Sequence, residues 1–453
     1  MLFERIESKG LAHYSYLIGS EGQAMVIDPR RDCNIYVDKA LRSGHRITHI
    51  LETHRNEDYL IGSVPLASRT GAAIWHADAQ WDYQYGQPVK DGQTWDLDPF
   101  QVEAIRSPGH TPGMMSYLLR DRNDAPWMVF TGDSLFAGDV GRMDLLGEDR
   151  LEEMAGEMYD TLFEKLLPLG DEVIVCPAHG PGSVCGSAIA DRTWTTIGME
   201  RKHNPKLQFD DKDTFVANVA QMLDRPPYFR MMEEGNLEGT SLPEGLLAPQ
   251  ALSPTDFIRR AEKAMVLDTR MELGFGAAHV PTAISIWEDG VSSFAGWFLS
   301  HDRPILLVSD RDDPTQIMRY LIRLGYDDVT GYLGGGMLSW HKAGKISHSI
   351  GTITVHNLCD RLDTGEEFHI LDVRNDEELE TQGEIPMAQH IQVVDLPERM
   401  DEVARGQRTY IFCGSGVRSM MAASLLERQG YSDLFVILGG LAGWTSTACP
   451  VSL

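Results

Sequence analysis

Short apolar runs alternate with turns rich in glycine, aspartate and proline along residues 1–120. Apolar runs of this length between turn residues are typical of β-strands. The pattern predicts strands at SYLIG, AMVID, ITHILE, AAIWH and FQVEAI, with helices over residues 34–42 and 59–69 between them. Strands of mixed pairing that are covered by helices favour an αββα sandwich.

The pattern changes further along the chain. An amphipathic segment at residues 150–167 predicts a helix, and the apolar run DEVIVCP after it predicts a strand. Two more helices are expected over residues 192–204 and 213–223. Residues 232–249 are rich in glutamate, glycine and proline, which favours a linker. We therefore expect a first domain over 1–245.

The remaining chain contains an internal repeat. The sequence VLDTR at residues 266–270 returns as ILDVR at 370–374, an offset of 104 (370 minus 266). A glycine pair followed by a tryptophan, GGMLSW at 335–340, returns at the same offset as GGLAGW. A repeat this long means two copies of one domain. Each copy reads strand, loop, strand, helix, which predicts doubly wound parallel α/β domains over 246–346 and 347–453.

Composition narrows the class of protein. A chain of 453 residues holds two to four domains, and its 42% hydrophobic content gives each of them a core. The net charge of −27 argues against binding nucleic acid or an anionic membrane. Because the first residues have no basic segment followed by an apolar core and no apolar run is long enough to span a membrane, we expect neither a signal peptide nor a membrane span. Six dispersed cysteines do not indicate a disulfide scaffold, so we expect a cytoplasmic protein. We also expect a homo-oligomer.

Three strand ends carry candidate metal ligands. His54 follows the apolar run ITHIL, His110 lies in the turn SPGHT, and Asp133 follows the apolar run WMVF. Metal ligands must come from rigid elements that converge on one point. Two imidazoles and one carboxylate at three strand ends therefore predict a metal site.

These residues resemble the metallo-β-lactamase superfamily, whose first motif is H-x-H-x-D-H. The sequence keeps His54 and Asp58 of that motif but has Asn56 and Tyr59 at two histidine positions. A second metal ion would need a histidine at position 59, so the resemblance does not support a two-metal hydrolase. His54, His110 and Asp133 match the iron ligands of the superfamily's persulfide dioxygenase branch. Two histidines and one carboxylate suit a non-heme Fe(II) site with open positions.

The resemblance continues along the chain. Arg142, in the sequence GRMD, matches an arginine that lies near the thiol substrate of that branch. His179, in the sequence CPAHG, matches the superfamily's last histidine motif. The resemblance implies one Fe(II) per chain, with zinc as the alternative. It also implies a supporting role, or a vestige of a second site, for Asn56, Asp58, Tyr59 and His179.

The second repeat carries a candidate nucleophile. The apolar run YIF ends in Cys413, and a glycine-bearing loop then opens a helix. That arrangement directs backbone N–H groups and the helix dipole at the sulfur, which stabilises a thiolate and an anion above it. The segment resembles the active loop of rhodanese sulfurtransferases, C-x-x-G-x-R, with Cys413 as the sulfur carrier and Arg418 closing the loop. The resemblance implies substrate binding by Gly414, Ser415, Gly416, Val417 and Ser419.

The first repeat differs at the corresponding position. The offset of 104 places Ser309 where the second copy has Cys413. The following residues, DRDDP, contain three acids and no glycine. Because a serine forms no thiolate and the acids would repel an anion, we expect this copy to be inactive in sulfur transfer.

The resemblance as a whole implies a persulfide dioxygenase fused to two rhodanese-like domains. Such a protein would oxidise a low-molecular-weight persulfide, such as glutathione persulfide, with O₂ to sulfite and thiol. Cys413 would exchange sulfane sulfur between sulfite and thiosulfate. Two alternatives stay open: a zinc thioesterase of the glyoxalase II type, and a metal-free persulfide-binding module in which Cys413 alone is active.

Overall fold

The computed structural model describes residues 1–242, 245, 248–363, 368–385 and 387–447. The chain forms two compact units, Met1–Glu244 with Ile322–Gly325, and Gly245–Leu321 with Tyr326–Leu453. The domain limits expected at 245/246 and 346/347 remain predictions. Among the described residues, no helix is both long and apolar enough to pass through a membrane.

Two six-stranded sheets build the first unit, each in sequence order. The first sheet contains β1 Leu2–Ser8, β2 His13–Ser20, β3 Gln23–Ile27, β4 Arg46–Leu51, β5 Ala73–His76 and β6 Gln87–Pro88. The second sheet contains β7 Thr94–Leu97, β8 Phe100–Arg106, β9 Met115–Arg120, β10 Pro126–Gly132, β11 Ile174–Pro177 and β12 Thr195–Thr196. All five strands predicted over residues 1–120 lie in these sheets.

Helices cover the outer faces of the two sheets. They are α1 Asn34–Arg42, α2 Ser63–Thr70, α3 Glu148–Asp160, α4 Ile197–His203, α5 Lys212–Val219 and α6 Phe229–Glu238. A central core joins the inner faces, with Ile18 and Leu51 from the first sheet against Tyr117 and Phe130 from the second. Further cores lie beneath α1 and α2 on one side and beneath α3, α4 and α5 on the other. This arrangement confirms the αββα sandwich.

Some predicted elements differ from the observed ones. The helix predicted over 59–69 begins only at Ser63, because the preceding residues form the loop that carries His54. The segment 150–167 is not one regular helix: α3 ends at Asp160 and a π-helical turn, Thr161–Leu166, follows. The predicted linker over 232–249 is wrong in its first part, since α6 extends to Glu238 and buries Met232 and Asn236.

The second unit contains two five-stranded sheets of parallel strands. The first has β13 Ala251–Leu252, β14 Met265–Asp268, β15 Ile284–Ser285, β16 Ile305–Val308 and β17 Val329–Leu333. The second has β18 Gly351–Thr354, β19 His369–Asp372, β20 Gln389–His390, β21 Thr409–Phe412 and β22 Leu434–Leu438. Their orders, β13-β17-β16-β14-β15 and β18-β22-β21-β19-β20, are the same topology twice.

Each sheet of the second unit has its own helices. The first has α7 Pro254–Ala261, α8 Glu272–Ala277, α9 Val291–Phe298, α10 Thr315–Arg323 and α11 Gly336–Lys342. The second has α12 Val355–Asp363, α13 Asp376–Gln382, α14 Leu396–Arg399, α15 Val417–Arg428 and α16 Gly440–Thr445. The two copies also share a buried ion pair, Arg270 with Asp268 and Arg374 with Asp372. The structure thus confirms the repeat of one parallel α/β fold.

Candidate metal centre and sulfur-carrier loop

Strand ends of both sheets meet at the candidate metal centre. His54 lies just past the end of β4 in the first sheet, and Asp133 follows the end of β10 in the second. The two chain segments approach closely at Gly132, which has φ +51°, and a Cβ there would lie 2.8 Å from Cβ of Thr53. Only glycine fits both that backbone conformation and that space.

The three predicted ligands converge in the protein interior. Nε2 of His54 lies 3.9 Å from Oδ2 of Asp133, and Nε2 of His110 lies 3.6 Å from the same oxygen. Each of the three side chains is fully buried. The two imidazole rings are edge to face, with their centroids 5.1 Å apart. The sequence therefore predicted correctly that these residues come together.

Hydrogen bonds set which ring nitrogen faces the centre. Nδ1 of His110 donates to the carbonyl of Arg142 at 2.8 Å. Nδ1 of His54 is 2.9 Å from Oγ1 of Thr53, whose own hydrogen is given to Oδ2 of Asp28. Both rings thus use Nδ1 as a donor, which leaves the lone pair of Nε2 directed inward when the ring is neutral. A hydrogen-bonded Nδ1 and a free Nε2 are the usual state of a metal-ligating histidine.

A fourth donor lies at the centre that the sequence patterns did not indicate. Oε1 of Glu57 is 3.0 Å from Nε2 of His110. Burial disfavours the charged imidazole, but the Glu57 carboxylate overrides that effect and raises the pKa of His110 to about 9. Glu57 occupies a variable position of the H-x-H-x-D-H pattern, so the motif gave no reason to select it. Its acidic side chain, directly before Asp58 of the motif, was the available signal.

A second group of side chains adjoins the first. His179 contacts Asp133 through Nδ1 at 2.8 Å and Asp58 through Nε2 at 3.0 Å. Burial works against the charged ring, yet the two carboxylates raise the pKa of His179 well above its ordinary value. The thiol of Cys185 donates to Oε1 of Glu57 at 3.3 Å. Asp133 therefore links the His54 and His110 pair to His179.

The remaining two positions of the first motif are also buried. The side-chain amide of Asn56 donates to the carbonyl of His54 at 3.3 Å. The ring of Tyr59 packs against His13 with centroids 4.1 Å apart. Its hydroxyl has no hydrogen-bond partner among the described residues. Both side chains shape the loop around His54, and their parts in a second site remain a prediction.

The donors present fit one divalent cation. Within the described part of the chain, Nε2 of His54 and Oε2 of Glu57 are buried without a hydrogen-bond partner. A buried polar atom left unpaired costs about 1–3 kcal/mol. An ion between His54, His110, Glu57 and Asp133 would satisfy these atoms together, and the ligand atoms of the first three all lie within 4.8 Å of one another.

Arg142 lies beside the centre but directs its guanidinium elsewhere. It forms a two-pronged ion pair with Asp144, both N–O distances being 2.7 Å, and donates to the carbonyls of Val184, Leu223 and Asp224. The side chain is buried and its own carbonyl holds His110. These contacts favour a positioning role, and substrate binding by Arg142 stays a prediction.

The sulfur-carrier loop lies at the end of β21. Sγ of Cys413 accepts a hydrogen bond of 3.1 Å from the backbone N–H of Gly416, which directly precedes α15. The carbonyl of Cys413 in turn accepts from the N–H of Leu441. A Cβ on Gly440 would lie 2.1 Å from that carbonyl oxygen. The loop thus directs a backbone donor at the sulfur, as an anion-stabilising loop requires.

An ion pair between Arg418 and Glu378 connects the cysteine loop to α13. Arg418 makes a two-pronged ion pair with Glu378, with its Nη2 2.7 Å from Oε1. Partial burial favours the neutral acid, but Arg418 holds the pKa of Glu378 below its ordinary value. Ser419 and Cys413 are fully buried, Gly414 and Ser415 lie in the turn after β21, and Val417 begins α15. Arg418 therefore braces the loop through Glu378 of α13.

The first repeat lacks this arrangement. Oγ of Ser309 accepts a hydrogen bond of 3.0 Å from the N–H of Arg311. Arg311 is paired with Glu288, and Asp313 is bonded to Thr315 at the start of α10. The loop therefore carries acids and no sulfur nucleophile, and the inactivity expected from the sequence stays a prediction.

These features define a class of protein: an αββα sandwich with a buried histidine and carboxylate centre, followed by two parallel α/β domains, one with a cysteine loop. The metallo-beta-lactamase superfamily model matches residues 9–179, and the rhodanese-like domain model matches residues 253–343 and 354–447. The chain belongs to the metallo-β-lactamase superfamily and carries two rhodanese-like domains after that domain.

The chain is similar to relatives with different named activities. The mitochondrial persulfide dioxygenase ETHE1 of Bos taurus is 28% identical over 226 residues, 47% of this chain and 78% of the relative. A hydroxyacylglutathione hydrolase of Brucella ovis is 35% identical over 193 residues, 42% of this chain and 70% of the relative. The solved structure of a metallo-beta-lactamase from Staphylococcus aureus subsp. aureus COL is 29% identical, with a TM-score of 0.65 over 74% of this chain and 98% of that one.

Proposed function

We propose that the first unit oxidises a low-molecular-weight persulfide with O₂ to sulfite and thiol at one Fe(II), and that Cys413 transfers sulfane sulfur. The observation that carries the first part is the convergence of His54, His110 and Asp133 with both imidazole Nδ1 atoms already hydrogen-bonded. Two histidines and a carboxylate form the donor set of non-heme Fe(II) oxygenases. The likeness to the bovine persulfide dioxygenase supports the same assignment.

The protein's own residues would hold and orient the ion. His54, His110 and Asp133 supply donors, while Thr53 and the Arg142 carbonyl fix the two rings. Fe(II) bound there would supply the site at which persulfide sulfur and O₂ meet. The burial of every predicted ligand keeps bulk water from the reacting groups.

Sulfur transfer is assigned to the second rhodanese-like domain. Cys413 would carry a sulfane sulfur as a persulfide, Cys413–S–S⁻. Attack by sulfite on the outer sulfur breaks the S–S bond, forms thiosulfate and returns the Cys413 thiolate; the reverse reaction loads the cysteine. The Gly416 N–H, 3.1 Å from Sγ of Cys413, donates to the atom on which the thiolate charge develops. Since sulfite is the product expected of the first unit, joining the domains raises its effective concentration.

A zinc thioesterase is the second candidate for the first unit. The likeness to the hydroxyacylglutathione hydrolase of Brucella ovis is the observation that favours it. Tyr59 counts against it, because the residue at that position offers a phenol in place of an imidazole ligand.

Metal substitution separates the candidates. Protein stripped of metal is reloaded under anaerobic conditions with Fe(II) or Zn²⁺, and each form is assayed for persulfide-dependent O₂ uptake and for cleavage of a glutathione thioester. The proposal predicts O₂ uptake by the Fe(II) form and no thioester cleavage by either form. Thioester cleavage by the Zn²⁺ form without O₂ uptake would establish the hydrolase, and failure to bind either metal would leave only Cys413 active.

A further inference from the structure

We infer that Glu57 is a fourth protein ligand of the metal ion, so that the centre holds its cation with two imidazoles and two carboxylates. This inference builds on the proposed iron site and adds a donor that no motif identifies. Glu57 lies between Asn56 and Asp58, in a segment that departs from the H-x-H-x-D-H motif at two histidine positions.

The contact between Glu57 and His110 has the geometry of neighbouring ligands. Oε1 and Nε2 are 3.0 Å apart, yet Nε2 of His110 has no hydrogen-bond partner within the described residues. Two donors that each lie about 2.1 Å from one ion, at right angles, are about 3.0 Å apart. Convergence on a common ion accounts for the short distance.

The unpaired atoms around Glu57 point to the same place. Oε2 of Glu57 and Nε2 of His54 are buried and lack partners in the described chain. An ion pair between Glu57 and His110 alone would leave both of these atoms unsatisfied. A cation bound by Glu57, His54 and His110 would pair Nε2 of His54 and neutralise the Glu57 carboxylate, and one ligand atom from each of these residues lies within 4.8 Å of the others.

The charge at the centre supports a cation. Glu57, Asp58 and Asp133 are three buried carboxylates, and His54, His110, His179 and Arg142 are basic groups near them. Buried carboxylates require a compensating charge or a metal. Glu57 and Asp133 as ligands would neutralise a dication, which favours retention of the ion in a closed interior.

A fourth ligand would change what the ion can accept. The set His54, His110 and Asp133 leaves about three positions of an octahedral ion open, and Glu57 would leave about two. Two open positions are the number needed for persulfide sulfur and O₂ together. Glu57 would thus exclude water from a third position instead of binding substrate itself.

The test compares the isosteric variant Glu57→Gln with the matched control Glu52→Gln. Glu52 is an equally buried glutamate at the same strand end, but its carboxylate is bonded to the hydroxyl of Tyr85 at 3.0 Å. Binding of Fe(II) to metal-stripped protein is measured by anaerobic titration calorimetry, with circular dichroism as the check of folding. We expect Glu57→Gln to weaken Fe(II) binding by about 10–100-fold. Glu52→Gln should leave the Fe(II) affinity unchanged.

The sign of the change decides between two roles. If Glu57 only occupied His110 as an ion-pair partner in place of a metal, its removal would free Nε2 and strengthen Fe(II) binding. Equal or tighter binding by Glu57→Gln would therefore overturn the inference. Weaker Fe(II) binding by Glu57→Gln would support Glu57 as a ligand whether or not the wild-type protein consumes O₂. If the wild-type protein shows no persulfide-dependent O₂ uptake, only the dioxygenase assignment is refuted.

Discussion

At the scale of single residues, the guanidinium of Arg142 has its hydrogen-bonding groups occupied by protein. It pairs with Asp144 and donates to three carbonyls of neighbouring loops, while its backbone carbonyl holds His110. We expect Arg142→Ala to lower the free energy of unfolding of the first unit by about 3–5 kcal/mol, because it leaves the Asp144 carboxylate buried without its partner. Denaturant unfolding measures this loss.

The control for that experiment is Arg150→Ala, which removes an exposed ion pair with Glu153. Little change in stability is expected there, since solvent screens such pairs. A stable Arg142→Ala protein with a raised KM for persulfide would instead show that Arg142 binds the substrate carboxylate.

The sequence predicted the candidate ligands that lie in recognisable motifs, but it did not predict the other residues of the centre. His54, His110 and Asp133 follow recognisable strand or turn patterns, and the structure places them together. Glu57 and Cys185 could not be selected in the same way. Their approach depends on how the loops after β4 and after β11 fold over one another, which is a tertiary property that no local pattern encodes.

At the scale of elements, strands were easier to predict than helix limits. Apolar runs between turns correctly predicted β2, β3, β4, β5 and β8, because a buried strand needs a continuous apolar face. Helix α1 matches its prediction, Asn34–Arg42. Helix α2 begins only at Ser63, because the residues just before it belong to the loop after His54, where the N–H of Ile61 donates to Oδ1 of Asn236. The π-helical turn after α3 has no sequence signal that we can identify.

The repeat supplies an internal control for the cysteine loop. Gly440 has φ +44° and leaves no room for a Cβ beside the carbonyl of Cys413. We expect Gly440→Ala to displace the loop and lower the thiosulfate sulfurtransferase rate on the order of 100-fold, as misplaced reacting groups do. Gly336, at the matching position of the first copy, has φ +56° and faces Ser309.

Gly336→Ala is therefore the matched variant. It introduces a similar backbone strain next to a loop without a nucleophile, so the sulfurtransferase rate should stay near that of the wild type. Equal losses in the two variants would mean that the effect is general destabilisation and not displacement of Cys413.

The same pair of loops tests which residue carries sulfur. Cys413→Ser should abolish thiosulfate-dependent turnover, because a serine hydroxyl provides no thiolate at neutral pH. Ser309→Cys should not create activity in the first copy, since its loop still has acids and lacks residues equivalent to Gly416 and Arg418. A rhodanese assay with thiosulfate and cyanide measures both. Near wild-type turnover in Cys413→Ser would require a different carrier, with Cys176 and Cys185 the first to test.

At the scale of the whole molecule, the two chemistries should be separable by mutation. His54, His110 and Asp133 lie in the first unit, and Cys413 lies in the second. We expect Cys413→Ser to retain persulfide-dependent O₂ uptake and His110→Ala to retain sulfur transfer, each within a few-fold of wild type. Loss of both activities in either variant, with folding intact by circular dichroism, would contradict independent sites.

The domain organisation was accessible from sequence because the repeat and the motifs have fixed spacing. The offset of 104 predicted two copies, and the two sheets have the same strand order. The linker was less accessible. Its acidic and glycine-rich composition concealed α6, which is helical because Phe229 and Met232 are buried against the rest of the first unit. Composition alone does not reveal such packing.

Initial rates of persulfide-dependent O₂ uptake, measured with an oxygen electrode on Fe(II)-loaded protein, test the proposed iron centre most directly. Wild type and four variants are compared: His54→Ala, His110→Ala, Asp133→Ala and Asn56→Ala, with bound iron determined on the same samples. We predict one iron per chain and O₂ uptake in the wild type and in Asn56→Ala, and loss of iron or of O₂ uptake in the other three. Retention of iron and O₂ uptake by His110→Ala, together with their loss in Asn56→Ala, would contradict the ligand assignment.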